Sequence, residues 1–249
     1  MTAFEPISLA VVLALLALVP LAAVMTTSFL KIAIVLTLVR NALGVQQVPP
    51  NMALYALALI LSAYVMGPVV MQVGAELRAV QAQGAASGPP SAAPMPGWPG
   101  AAPPGHAGAP PGPQAAMPDR TGALIQAVER GVEPLRAFML RNSKPEQRDF
   151  FVRTARQLWG PEQASGLGED NLLVLIPAFL LSELTVAFQV GFLLYLPFVI
   201  IDIIVSNILL AMGMMMVSPV TISMPLKLFL FVMVDGWTRL IQGLVLSYG

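Results

Sequence analysis

The sequence predicts an all-α protein in which bent apolar helical hairpins are joined to one small, more polar helical module. The first observation is composition, because 57% of the 249 residues are hydrophobic and only 10% are charged, whereas a soluble domain carries roughly 25% charged residues. The second is that long runs without any charge recur along the chain. The third is that prolines and glycines end or interrupt these runs. Together they indicate a membrane protein or a subunit of a membrane assembly.

Composition also excludes several functional classes. The chain has no cysteine, its formal net charge is 0, and its single histidine, His106, lies in a tract of proline and glycine. Disulfides, thiolate metal sites and imidazole catalysis are therefore not expected, and no hydrolase or ATPase motif occurs. The sequence predicts a protein without enzymatic activity, without a cofactor and without a nucleic-acid surface.

Residues 1–80 are predicted to form N-terminal apolar helices. The first run, 7–24, is preceded by Glu5 and lacks the basic residues of a secretory signal, which favours a retained membrane segment. The second run, 52–73, has 22 residues without a charge. A stretch of about 20 apolar residues is long enough to cross a bilayer as a helix.

A polar corner is predicted between these helices. Gly44 suits the position just after a helix, where a left-handed backbone is needed. Pro49 and Pro50 prevent any helix from continuing through the corner. Lys31 and Arg40 precede it within apolar sequence. Basic residues favour the cytoplasmic side, so the corner is expected there and the charged region further along the chain is expected outside.

The middle of the chain divides into a linker and a module. Residues 81–118 consist largely of proline, glycine and alanine, a composition that predicts a disordered linker. Residues 119–170 carry dense charges of both signs and are predicted to form a small helical module on the periplasmic side. Within it, Ser143 and Glu146 have the spacing of a capping box and predict a helix that begins at Ser143.

Residues 171–249 are predicted to form C-terminal apolar hairpins. Four prolines divide the region: Pro177, Pro197, Pro219 and Pro225. Because proline lacks a backbone donor and clashes with the preceding turn, each is expected to kink or end a helix. The predicted helices therefore cover about 172–200, 203–217 and 226–246.

A cluster of methionines marks the break in this region. Met214, Met215 and Met216 follow Gly213 and precede Pro219 and Pro225. In lipid, a broken helix is tolerated only where protein or a water-filled cavity covers its free backbone groups. The break is therefore a candidate pore or site, supported by its glycine and prolines. The alternative is a kinked, buried hairpin in which methionine fills gaps.

Seven ionisable groups lie in apolar sequence and need partners. They are Lys31, Arg40, Glu183, Asp202, Lys227, Asp235 and Arg239. Each would cost roughly 2.5–3.5 kcal/mol at a helix centre in lipid. We expect a mixture of buried pairs, corner positions and helices that face protein, with Lys31 or Arg40 paired to Glu183 or Asp202 within or between subunits. An ion- or proton-coupled transporter or channel subunit is the alternative function, although no internal repeat supports it.

Two blocks of the sequence resemble the export-gate proteins of type III secretion, the family of flagellar FliP and injectisome SctR. The first is SFLKIAIVLTLVRNALGVQQVPPN, residues 28–51. The second is IPAFLLSELTVAFQVGFLLYLPFVIIDIIVSNILLAMGMMMVSP, residues 176–219, followed by MPLKLFLFVMVDGW, residues 224–237. The absence of a basic segment before the first apolar run favours the injectisome branch.

The resemblance implies a function and a site. Family members form a pentameric, cone-like gate that conducts unfolded secreted proteins across the bacterial inner membrane. Their helices are bent hairpins raised largely towards the periplasmic side of the secretion-system base. Three consecutive methionines form the gasket that seals the closed pore, and by position these are Met214, Met215 and Met216.

The resemblance also implies partners. The pentamer is completed by two smaller membrane proteins, FliQ/SctS-like and FliR/SctT-like. The large export-gate protein (FlhA/SctV-like), the switch protein (FlhB/SctU-like) and the inner-rod and needle proteins are further expected partners, together with membrane lipid and the unfolded substrates.

Overall fold

The computed structural model describes residues 23–45, 48–86, 117–160, 162–164 and 166–249, together with the isolated positions 13, 14, 17 and 20. Every regular element delimited within this part of the chain is an α-helix, which confirms the predicted all-α class. Most of the predicted first apolar run lies outside the described residues, and so does most of the predicted linker, residues 81–118, whose two ends, 81–86 and 117–118, are helical.

Seven helices are delimited within the described part of the chain. They are α1 (Phe29–Ala42), α2 (Asn51–Ala86), α3 (Met117–Asn142), α4 (Pro145–Trp159), α5 (Leu172–Ala211), α6 (Pro219–Met233) and α7 (Gly236–Leu246). Helix α5 and the Asn51–Ala79 part of α2 are long and apolar enough to cross a membrane. Helices α6 and α7, bent by 62° at their junction, are apolar enough when taken together to form one broken span or a re-entrant loop.

The chain forms two compact units. One consists of residues 69–135 and contains the end of α2 and the first part of α3. There, Leu77 and Val73 lie within 4 Å of the point that a β-carbon would occupy at Gly131. The other unit consists of residues 1–68 and 136–249 and contains the remaining helices.

The core of the larger unit is the contact between α1 and α5. Helix α1 buries residues at the spacing of one helical face, namely Ile32, Val35, Leu36 and Val39. On α5, Gly191 is buried, and a β-carbon there would lie 2.2 Å from Cδ1 of Leu38. The missing side chain therefore lets the two helices approach closely. At the end of α1, Gly44 has φ +77° after Leu43, which confirms its predicted position beyond the helix.

The predicted break points of the C-terminal region are partly wrong. Helix α5 runs without interruption through Pro177 and Pro197, and α6 runs through Pro225. A proline within a helix removes one backbone hydrogen bond, and apolar surroundings allow the remaining bonds to hold the helix. The break lies at residues 212–218, at the methionine cluster, and α6 and α7 are separated at Val234 and Asp235, within the predicted helix 226–246. Pro219 is the first residue of α6, where its missing N–H would have had no helical partner.

The predicted capping box at Ser143 is also wrong. Helix α4 begins at Pro145, so Lys144 takes the N-cap position and Ser143 lies one residue further out. Proline favours the first helical position, and this preference sets the start. The Arg148 guanidinium donates to the carbonyl oxygens of Leu140 at 3.1 Å and Ser143 at 2.7 Å. These bonds join α4 to the end of α3.

Candidate functional site: the methionine loop and two buried ion pairs

The turn between α5 and α6, residues 212–218, which we name the methionine loop, begins with a complete Schellman motif. Gly213 has φ +75°, a conformation that glycine adopts without steric cost. Its N–H donates to the carbonyl of Leu210 at 3.0 Å, and the N–H of Met214 donates to that of Leu209 at 2.9 Å. Both bonds satisfy carbonyls left free at the helix end. The chain direction therefore changes sharply just before the methionines.

The methionine side chains of this loop point away from the core of their own chain. Met214 is 47% exposed, Met215 is 83% exposed and Met216 is fully exposed. The loop ends at Ser218, the N-cap residue of α6. Within a single chain these methionines therefore do not fill a buried hairpin, which was the alternative reading of the sequence. They form a flexible, unbranched apolar tip.

A first buried ion pair joins α1 to α5. Nζ of Lys31 lies 3.4 Å from Oε1 of Glu183, and these side chains are only 4% and 2% exposed. The hydroxyl of Tyr248 donates to Oε2 of the same carboxylate. Nζ of Lys31 also lies 3.6 Å from the centre of the Tyr248 ring, close enough for a cation–π contact. The buried charges are thus matched to each other and to a polar donor.

Tyr248 is held in place from several directions. A guanidinium N–H of Arg141 donates to the Tyr248 carbonyl at 2.6 Å. The Phe138 ring stacks on the Tyr248 ring with 5.9 Å between centroids. Burial raises the pKa of the Tyr248 phenol well above its usual value, and the Glu183 carboxylate raises it further. The hydroxyl therefore stays protonated and serves as a hydrogen-bond donor.

A second ion pair joins α5, α6 and the end of α1. Nζ of Lys227 lies 2.6 Å from Oδ2 of Asp202 and donates to the carbonyl of Ala42 at 3.3 Å. The Ser223 hydroxyl donates to the other carboxylate oxygen at 2.6 Å. Lys227 is buried, whereas the Asp202 side chain is 34% exposed. A cation at the last carbonyl of α1 also matches the negative end of that helix dipole.

The other three charges lie in or near the first or last turn of a helix. Arg40 donates to the carbonyl of Pro49 at 3.4 Å and to the side-chain oxygen of Asn51, so it supports the corner after α1 and has no acid among its described contacts. Asp235 has φ 54° at the start of α7, and the Thr238 hydroxyl donates to it at 3.0 Å. Arg239 is exposed and makes no ion pair within the described part of the chain.

Tyr248 and Ser223 were not predicted from the sequence to take part in these ion pairs. Both carry a hydroxyl within apolar sequence, a feature that can signal a buried hydrogen bond. Ser223 precedes Lys227 by one helical turn, so the two share a face of α6. This four-residue spacing could have indicated from the sequence that Ser223 lies beside Lys227. Tyr248 gave no comparable local signal because its partners are far away in sequence.

The fold and the site together define an all-helical membrane protein whose internal charges pair between helices and whose apolar loop lies exposed. Comparison with known proteins identifies the family of this membrane protein. The FliP family model matches residues 12–91 and 113–244. The chain therefore belongs to the FliP family.

Three relatives align with nearly the whole chain. It is 46% identical to the Yop proteins translocation protein R of Yersinia pestis over 245 residues, which cover 98% of this chain and 97% of that protein. It is 41% identical to the Harpin secretion protein HrcR of Erwinia amylovora, with the same coverage. It is also 41% identical to the Virulence protein YscR of Salmonella typhimurium strain LT2, over 98% of this chain and 97% of that one. These are injectisome, SctR-type proteins, so both the predicted family and the predicted branch are confirmed.

Proposed function

We propose that this protein is the core pore-forming subunit of a type III secretion export gate. Copies assemble as a pentamer in the inner membrane, with FliQ/SctS-like and FliR/SctT-like proteins completing a cone-like gate. Unfolded proteins pass through its centre, and the methionine loops close it between passages. The helices lie largely towards the periplasmic side. The names of the relatives, which refer to translocation and secretion, support this role.

The exposed methionine loop is the observation that carries the proposal. Three consecutive thioethers extend from a turn that glycine and proline define on either side. Each copy in a ring would contribute three more to one constriction. An apolar constriction blocks ions by excluding water. Because methionine is unbranched and flexible, the same ring can also deform around chains of different sequence.

The surfaces of the apolar helices support assembly into an oligomer. Helix α5 exposes large hydrophobic side chains on several sides, including Phe188, Phe192, Leu193 and Ile203. Such a surface requires lipid or protein against it. Neighbouring subunits in a gate, together with lipid at its rim, would cover it.

The arrangement of the charges favours a structural role over ion-coupled transport. A proton or ion path needs ionisable groups that follow one another across the membrane. Here Lys31 and Glu183 neutralise each other, and so do Lys227 and Asp202. Each pair also bonds to neighbouring groups that join helices. We therefore assign both pairs to holding the helices that position the loop.

Replacing Met214, Met215 and Met216 together with alanine is expected to open the resting gate to small ions. The substitution removes most of the apolar volume of the loop without adding charge, and the helices that build the assembly are unchanged. The constriction should widen and fill with water. The measurement is ion leak across the membrane of cells expressing the variant, alongside a native gel of the complex.

A matched control replaces three other exposed methionines, Met52, Met71 and Met233, with alanine. They are 80%, 70% and 69% exposed, so the same number of thioethers is lost elsewhere. Leak from the loop variant alone, with normal assembly of both variants, supports the seal. Normal assembly of the loop variant without leak would contradict it.

A further inference from the structure

A cavity of about 520 Å³ lies between α1, α5, α6 and α7. Two helices each contribute one face to its lining. These faces consist of Val186, Val190, Leu194 and Phe198 on α5, and of Arg239, Leu240, Gly243 and Leu244 on α7. The four-residue spacing within each set means that the cavity runs along both helices. Apart from Lys31, Arg239 and Ser247, all its side chains are apolar.

The cavity is elongated. Its lining extends from Gly236, at the start of α7, to Ser247, just beyond its end, which corresponds to about 16 Å at 1.5 Å per residue. This is close to half of the roughly 30 Å hydrocarbon core of a bilayer. An extended acyl chain reaches about this far along apolar walls.

The two ends of the cavity differ in charge. At one end, Lys31 is already paired with Glu183 and covered by Tyr248. At the other end, near the junction of α6 and α7, Arg239 is exposed and has no ion pair within the described residues. Asp235 lies one turn earlier, and its carboxylate accepts a hydrogen bond from Thr238. No acidic side chain lines the cavity.

We propose that this cavity binds an acyl chain of an anionic phospholipid, with Arg239 holding the headgroup phosphate. A guanidinium matches a phosphate with two parallel hydrogen bonds. An acyl chain matches the walls in polarity and length. The lipid supplies the counter-charge that Arg239 lacks among the described residues, at the edge of an apolar region. No residue of the methionine loop lines this cavity. The lipid site can therefore be tested independently of the proposed gate.

The test measures lipid retained by the complex as it is purified from the membrane in mild detergent. Native mass spectrometry counts phospholipids after delipidation and after re-addition of phosphatidylglycerol or phosphatidylcholine. Arg239→Gln removes the phosphate partner, and Gly243→Phe fills the cavity, since a β-carbon at Gly243 meets nothing within 4 Å. Gly67→Phe is the matched control, because a β-carbon there also meets nothing within 4 Å and Gly67 does not line the cavity.

The unmodified complex is expected to retain phosphatidylglycerol in preference to phosphatidylcholine. Arg239→Gln should lower that preference about tenfold, and Gly243→Phe should abolish retention while Gly67→Phe leaves it unchanged. Phosphatidylglycerol with a photoreactive acyl chain should label peptides that contain Val190 or Leu244 in the unmodified complex, which needs no variant to fold. Equal retention by all variants, no labelling of these peptides, or crosslinking of a thiol at Gly243→Cys to another protein would overturn the proposal.

Discussion

Replacing Glu183 with glutamine is expected to lower the free energy of unfolding by about 3–5 kcal/mol. Glutamine keeps the shape of the side chain and an acceptor for the Tyr248 hydroxyl, so the change removes little besides the charge. Lys31 then remains as an unpaired cation in the core, 4% exposed. The measurement is unfolding of the detergent-purified protein by heat or denaturant, with the amount of assembled complex from a native gel beside it.

The surface pair of Arg153 and Asp149 provides the control. Both side chains are largely exposed, and Asp149→Asn should change stability by less than about 1 kcal/mol. A double variant, Lys31→Met with Glu183→Gln, removes both charges and should recover much of the loss. If Glu183→Gln is as stable as the surface control, the buried pair does not hold α1 against α5.

The second large effect is expected from Lys227→Met, which should cost about 3 kcal/mol. Methionine matches the length of lysine but leaves Asp202 and the carbonyl of Ala42 without their cation. The cost falls at the low end of the range for buried pairs because Asp202 is 34% exposed and water can solvate its carboxylate. Since α6 follows the methionine loop directly, loosening α6 should also raise ion leak.

A double-mutant cycle isolates this interaction. Asp202→Asn and Lys227→Met are measured separately and together, and the coupling energy is the amount by which the double variant differs from the sum. A coupling of more than about 1 kcal/mol is expected for two groups in direct contact. Additive effects would show that the two side chains act independently, and the link between α5 and α6 would then need another explanation.

The fold class and the chain corners were predictable because they depend on local chemistry. Apolar runs without charge predict membrane helices from composition alone. Gly44 takes the left-handed position predicted for it, because few other residues adopt that conformation without strain. The family also followed from the sequence, since long blocks of residues carried the resemblance.

The errors arose where tertiary contacts override local preference. Pro197 and Pro225 were expected to kink or end helices, with helix boundaries near 200–203 and 226, yet both lie within continuous helices. The existence of buried pairs could be argued from the cost of unpaired charge, but the partner of each group depends on how distant helices align. Asp202 was expected to pair with Lys31 or Arg40, but the alignment of the helices pairs it with Lys227. In the other pair, Glu183 accepts a hydrogen bond from Tyr248, which is 65 residues further along the chain.

If secreted proteins pass the methionine loop, a thiol at the tip of the loop should come within reach of them. The chain has no cysteine, so Met216→Cys introduces a single thiol at a fully exposed position. A secretion substrate with one cysteine and a folded domain that arrests it in transit is expressed in the same cells. A disulfide forms only when the two β-carbons come within about 3.5–4.5 Å of each other.

A disulfide is expected between the arrested substrate and position 216. Met233→Cys, 69% exposed, should give none because Met233 is the last residue of α6, about 21 Å along that helix from the end of the loop. The disulfide at position 216 should require arrest and disappear with a substrate that lacks its export signal. An arrested substrate that fails to crosslink at position 216, or that crosslinks equally at position 233, would show that secreted proteins do not pass the methionine loop.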